Sequence, residues 1–188
     1  MKPDITLQLM YKIRQATQAD FNKIFTLYKR VATETTGLAR SGDEITEKYL
    51  HEVMEHASES GIQLVIDNPD KSNEIIAEIH CYKLVPKVFC HVLSELTIAV
   101  DPDHQGKGVG RMIFTHLQDL IINDRPDILR VELISRETNL KAISFYESLG
   151  FKREGKLEKR ISYIENEFEA DIPMAWFNPN FKKTSNEF

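Results

Sequence analysis

The 188-residue sequence is poor in cysteine, holding only Cys81 and Cys90. That excludes a disulfide-stapled secreted scaffold and implies a reducing compartment, most simply the cytoplasm. It also lacks an excess of basic charge. Lys and Arg number 24 against 29 Asp and Glu, for a net charge of -5. A nucleic-acid-binding domain usually presents a basic surface, so no nucleic-acid partner is expected. No apolar run approaches the roughly 20 residues needed to span a bilayer, so no membrane partner is expected either. The stretch from Met1 to Met10 has Lys2 but no signal-peptide core or small-residue cleavage site. Repeats and low-complexity segments are missing too. What is left is one ordinary domain, expected over residues 11–177, with a leader at 1–10 and a loose tail at 178–188.

Within that span, hydrophobic spacing predicts the elements. Tyr11 to Arg14 alternates as a first strand, and Thr17 with Asp20 forms a capping-box variant ahead of a helix to about Thr35. A second helix is expected after Ser41-Gly42-Asp43, with Gly61 as its C-cap. Strand-like segments follow at Ile62–Asp67, Ile75–Leu84 and Val88–Val100. The remainder reads as a helix from Gly108 to about Asn123, a strand Ile128–Ser135 and a helix Asn139–Leu149 closed by Gly150. Strands near Phe151–Arg153 and Ile172–Phe177 complete it. A meander followed by a βαβ crossover gives an α/β (α+β) class, with a mixed, mostly antiparallel central sheet flanked by helices.

Chemistry concentrates between Leu93 and Arg111, L-S-E-L-T-I-A-V-D-P-D-H-Q-G-K-G-V-G-R. A strand runs into Pro102, then three glycines fall within five residues, and a helix starts at once. Glycine permits positive φ and leaves no Cβ between an amide and a ligand. At a helix N-terminus such a loop aims several N–H groups and the positive dipole end at one point, with Lys107 and Arg111 adding full charges. This is a phosphate or pyrophosphate cradle. The P-loop pattern fails because no Lys-Ser or Lys-Thr follows the glycines, and G-x-G-x-x-G fails because Gly106, Gly108 and Gly110 are spaced by two. A mere tight turn does not need three glycines and two flanking cations.

The spacing resembles the signature of the GNAT superfamily of acyl-CoA-dependent N-acetyltransferases, [Gln/Arg]-x-x-Gly-x-[Gly/Ala] after a strand ending Val-x-Pro. Here it stands as Val100, Pro102, Gln105, Gly108 and Gly110. A second motif, E-T-N-L-K-A-I-S-F-Y-E-S-L-G-F at 137–151, resembles the family segment in which an Asn opens the last helix and a Tyr lies near the thioester sulfur. The resemblance implies that amides from Gln105 through Gly106, Lys107, Gly108, Val109 and Gly110 to Arg111 bind the CoA diphosphate. It implies that the backbone of Ile98 and Val100 pairs with the pantetheine arm, and that Asn139 touches CoA, caps its helix, or does both. Acetyl-CoA would be the co-substrate, with no metal, and transfer would be direct, so neither cysteine is needed as a nucleophile.

Direct transfer requires the acceptor amine, with an ordinary pKa near ~10.4, to lose a proton and the thiolate, near ~8.5, to gain one. Tyr146 matches the family position for the acid; core packing of its ring is the alternative. Glu95 is the candidate base, expected among apolar neighbours that would lift its carboxyl, with His91 the alternative. Strict alternation puts Glu95 on one side with His91, Leu93, Thr97 and Ala99. The acids Asp43, Glu44, Glu47, Glu52, Glu55 and Glu59 favour a small cationic amine as acceptor, while a solvated helix face explains them equally well. Acetylation of a protein N-terminus or lysine, and a non-catalytic acyl-CoA sensor, are the alternatives. His80-Cys81 and Cys90-His91 look like a zinc set, but adjacent strand residues point to opposite faces. Oligomeric state is left open by the sequence, a homodimer included.

Overall fold

The computed structural model describes residues 10–35, 37–164 and 167–183, so most of the expected leader and the end of the expected tail lie outside the described residues. The fold is of the expected mixed α/β type, with eight mostly antiparallel strands among the described residues, accompanied by helices. The chain divides into two compact units, residues 1–82 with 97–120, and residues 83–96 with 121–188.

In the first unit, β1 (Ile13–Gln15), β2 (Gly61–Asp67) and β3 (Ile75–Lys83, which leaves the unit after Tyr82) run antiparallel, with Leu64 opposite Ile79 and Gln15 opposite Leu64. Helix α1 (Phe21–Glu34) buries Ile24, Leu27, Tyr28 and Val31, the i, i+3, i+4, i+7 stripe of an amphipathic helix. Helix α2 (Glu47–Ser60) does the same with Leu50, Val53, Met54 and Ala57. Ile24, Leu27, Tyr28 and Val31 meet Leu50 and Met54, together with Ile45, Val65, Ile75 and Ala99, in one core. Its fully buried aliphatic side chains contribute about 1.5–3 kcal/mol each by leaving water.

Starts and stops differ from the periodic reading where side chains cap. The expected capping box encloses a short turn, Gln18–Asp20, in which Asp20 Oδ2 accepts the Thr17 N–H at 2.9 Å. Helix α2 starts later than Asp43 because Thr46 is its cap, its hydroxyl accepting the Tyr49 N–H at 3.1 Å. Gly61 caps the C-terminus of α2 as expected, its N–H donating to the Ala57 carbonyl, and does so with extended backbone, φ -131°. Glycine is required there for space, since a Cβ would lie 2.2 Å from the Cys81 carbonyl oxygen on β3.

The second unit holds the start of β4 (Val92–Val100), the end of α3 (Val109–Asp124), β5 (Arg130–Arg136), α4 (Leu140–Ser148) and β6 (Lys152–Arg153). β7 (Leu157–Ile164) and β8 (Glu167–Phe177) complete it. β4 pairs β5 in parallel at Val92–Arg130 and Leu93–Val131, and β8 pairs antiparallel with β5, β6 and β7. β7 was not foreseen: its sequence L-E-K-R-I-S-Y-I has little apolar alternation, and Lys159 interrupts it with φ 55°. The expected strand at Val88 begins at Val92 instead, after a helical turn over Lys87–Phe89. Of the expected tail, Asn178 is buried, its amide donating to the carbonyls of Ile128 (3.0 Å) and Arg125 (3.3 Å).

Candidate active site

The cradle is built in the first unit. Beyond Val100, Asp101 caps a helical turn over Pro102–His104, its side chain accepting the Asp103 N–H at 3.0 Å. Gln105 returns its amide to the Val100 carbonyl at 3.1 Å, which folds the loop back on the strand end. Gly106 and Gly108 then take φ of 74° and 85°, the left-handed region that glycine enters without penalty. Residues 105–108 are exposed, whereas Val109 is buried and anchors the start of α3. By helix geometry the first N–H groups of α3, from Val109 to Arg111, point out of its end, where the dipole is positive.

Gly110 differs from its two neighbours. It lies within the helix, and a Cβ there would make ordinary contacts with Val100 (3.5 Å) and Ile98 (3.8 Å). The structure thus brings Ile98, Val100, Gln105 and Gly110 together. The chain's own packing leaves room at Gly110 for a methyl group but needs left-handed backbone at Gly106 and Gly108.

The proton-transfer candidates lie in the second unit. Glu95 is exposed, so the apolar burial expected around its carboxylate is not there. Its backbone has φ 53°, a conformation that strains a non-glycine residue. Strict alternation therefore breaks at Glu95, and the expected common side for residues 91, 93, 95, 97 and 99 does not carry across it. The β4–β5 ladder given by Val92 and Leu93 ends two residues earlier. Sequence periodicity could not find this kink, because a residue other than glycine gives no local sign of a left-handed backbone. His91 engages the start of β5, its carbonyl accepting the N–H groups of Leu129 (2.9 Å) and Arg130 (3.1 Å).

Asn139 caps α4, with Oδ1 accepting the Ala142 N–H at 3.1 Å, so the capping role is real. Tyr146, two turns on, packs its ring 5.5 Å from that of Phe145 and 6.1 Å from that of Phe151. Burial pushes its phenol up to about 12 from an ordinary 10.0. It therefore holds its proton throughout the neutral range. Gly150, φ 90°, ends this segment as expected.

One polar cluster in the first unit escaped the sequence reading. The Tyr28 hydroxyl donates to Glu78 Oε2 at 2.5 Å and lies 3.1 Å from His80 Nδ1, which is 3.0 Å from Glu78 Oε1. Gln63 donates to the same Oε1 at 2.8 Å, and Tyr28, Glu78 and His80 are all buried. His80, read earlier as half of a zinc-like pair, thus spends Nδ1 on this network. Among the described residues no group of three His, Cys, Asp or Glu side chains could hold a metal ion. The acids Asp43, Glu44, Glu47, Glu52, Glu55 and Glu59 all lie on exposed surface. Among the described residues no helix is long and apolar enough to cross a membrane.

The model of the acetyltransferase (GNAT) domain family matches residues 59–153, just over half of the chain and including the whole cradle. A [ribosomal protein bS18]-alanine N-acetyltransferase of Salmonella typhimurium is 46% identical over 63 residues, 32% of this chain. That match spans 41% of the relative's own length. A spermidine N(1)-acetyltransferase of Vibrio cholerae is 29% identical over 120 residues, 62% of each chain. Among solved structures, a GNAT superfamily phosphinothricin acetyltransferase from Sinorhizobium meliloti in complex with AcCoA superposes with a TM-score of 0.72. It is 13% identical, over 95% of this chain and 96% of that one. With the glycine cradle and the Asn-to-Tyr helix both falling inside the matched segment, the chain belongs to the GNAT acetyltransferase family.

Proposed function

We propose that this chain is an N-acetyltransferase that moves an acetyl group directly from acetyl-CoA to a primary amine, that of a small cationic molecule. The observation that carries the reading is the pair of left-handed glycines, Gly106 and Gly108, opening onto the start of α3 beside Lys107 and Arg111. The amides of residues 105–111 would hold the diphosphate, and the backbone of Ile98 and Val100 would line the pantetheine arm. When bound, acetyl-CoA supplies a thioester carbonyl open to attack. Glu95, exposed and on strained backbone, would take the proton from the acceptor amine, directly or through one water. Tyr146, holding its proton up to about 12, would give one to the departing sulfur. Asn139 keeps the first turn of α4 in place and would also touch CoA. We assign the chain to the cytoplasm on its low cysteine content.

Calorimetry with CoA tests the cradle. Binding is expected for the unsubstituted chain, and Gly108→Val should abolish it, because valine is strained at φ 85° and fills the space the phosphates need. No heat from CoA with the folded, unsubstituted chain would refute the reading. Thiol release over spermidine, aminoglycosides and amino acids tests the acceptor. A second reading, acetylation of a protein N-terminal alanine, draws on the partial match, 46% identical over 63 residues, to a [ribosomal protein bS18]-alanine N-acetyltransferase. Turnover confined to peptides with an N-terminal alanine would select it, and tight CoA binding without turnover on any amine would select the sensor.

A further inference from the structure

The cradle is held from outside its own loop. Asp101, the last residue before Pro102, is 8% exposed, and its N–H donates to the Ile76 carbonyl on β3 at 2.8 Å. Its carboxylate gathers three more groups. Oδ1 accepts the Asp103 N–H at 3.0 Å and lies 3.1 Å from His104 Nδ1, and Oδ2 accepts Arg30 Nη1 at 2.6 Å. Arg30 sits on α1, far away in sequence. Its Nη2 donates to Asp103 Oδ2 at 2.9 Å and its Nε to Glu34 Oε1 at 3.2 Å. One guanidinium therefore grips both residues that flank Pro102, and it holds the Asp103 carboxyl below the ordinary range. A planar fork shared between two carboxylates fixes direction as well as distance, which a lysine cannot do.

Most exposed ion pairs contribute little to stability. This one is placed differently, because Asp101 is buried and is also the cap of the turn that leads into Gly106. A glycine-rich loop has many alternative conformations, and a ligand that must order it binds more weakly than one that finds it preset. Resting on the proposed CoA reading, we infer that Arg30 is a positioning residue for the diphosphate loop, clamping Asp101 and Asp103 from α1 so that the amides of residues 105–111 are aligned before the ligand arrives. Part of the cofactor affinity is then located on the first helix. The neighbouring Lys29 donates to the Gly42 carbonyl at 2.6 Å and supplies a control, since it braces a different loop from the same helix turn.

The test compares acetyl-CoA with acetyl-pantetheine, which lacks the diphosphate, by calorimetry and by KM on the full chain. Arg30→Gln is expected to raise Kd and KM for acetyl-CoA about tenfold while shifting KM for acetyl-pantetheine less than about twofold. Arg30→Lys should recover part of the loss, and Lys29→Met should leave the preference for acetyl-CoA unchanged. Asp103→Asn, at a 74%-exposed side chain, should give a smaller loss with the same selectivity. Equal losses for both thioesters in Arg30→Gln would mean a general structural role and overturn the inference, as would no loss for either. An unsubstituted chain that gains nothing from the diphosphate would be seen first, without any variant. That result refutes the CoA reading and removes this inference with it.

Discussion

Single residues carry the chemistry proposed here, and Glu95 is the most telling. A non-glycine residue at φ 53° costs of the order of 1 kcal/mol or more, which selection tolerates where the side chain is needed. Glu95→Gly should therefore leave thermal stability unchanged or raise it while turnover falls sharply. A variant that unfolds earlier, or keeps full activity, would assign Glu95 to structure. Glu95→Gln should flatten the rising limb of the pH–rate profile, and an unchanged profile would remove it from the base role. Tyr146→Phe should lower kcat by roughly 10²-fold with CoA affinity nearly intact. Tyr146 was named from its position in the second motif and Glu95 from its place on the strand before the cradle. The kink at Glu95 was not legible, because a glutamate carries no local sign of left-handed backbone.

Among the elements, helices were readable because each buries one stripe, as Ile24, Leu27, Tyr28 and Val31 do on α1. Their ends were read less well. α2 starts only at Glu47, after its cap Thr46, and the spacing alone did not place that start among the residues after Asp43. Gly61 caps α2, as its position suggested, and also serves close contact between β2 and β3. Gly61→Ala should lower the unfolding temperature markedly, since a Cβ would meet the Cys81 carbonyl at 2.2 Å and main chain must move. A fully stable Gly61→Ala chain, measured by thermal melting, would show that the two strands have slack. β7 went unseen because its residues lack the alternation that marks a half-buried strand.

For the whole molecule, the charges set a stability plateau. Asp20 is held at about 2 by the guanidinium of Arg14, and Asp127 at about 2 by that of Arg125. Both are lowered from 3.8, so the stability they supply is present above about pH 4 and is lost as pH falls through about 2. After allowance for solvent screening each contributes about 1–2 kcal/mol. Tyr146 runs the other way. Raised from 10.0 to about 12, it supports the fold below pH 10 and withdraws that support as pH climbs to 12. Urea unfolding should thus be nearly flat between these limits, and Asp20→Asn should shrink the acid-side loss. An acid limb identical in Asp20→Asn and the parent would locate that loss elsewhere. What the sequence determined by itself was local and covalent: the glycine spacing of the cradle, the cation-flanked helix start, the Asn-to-Tyr helix, and the amphipathic stripes, because each is written in residues a few positions apart. What tertiary structure alone decided was long-range: Arg30 reaching Asp101, Tyr28 and Gln63 meeting Glu78, and the backbone strain at Glu95. Such contacts join residues that share no sequence period, so only the folded chain brings them within bonding distance.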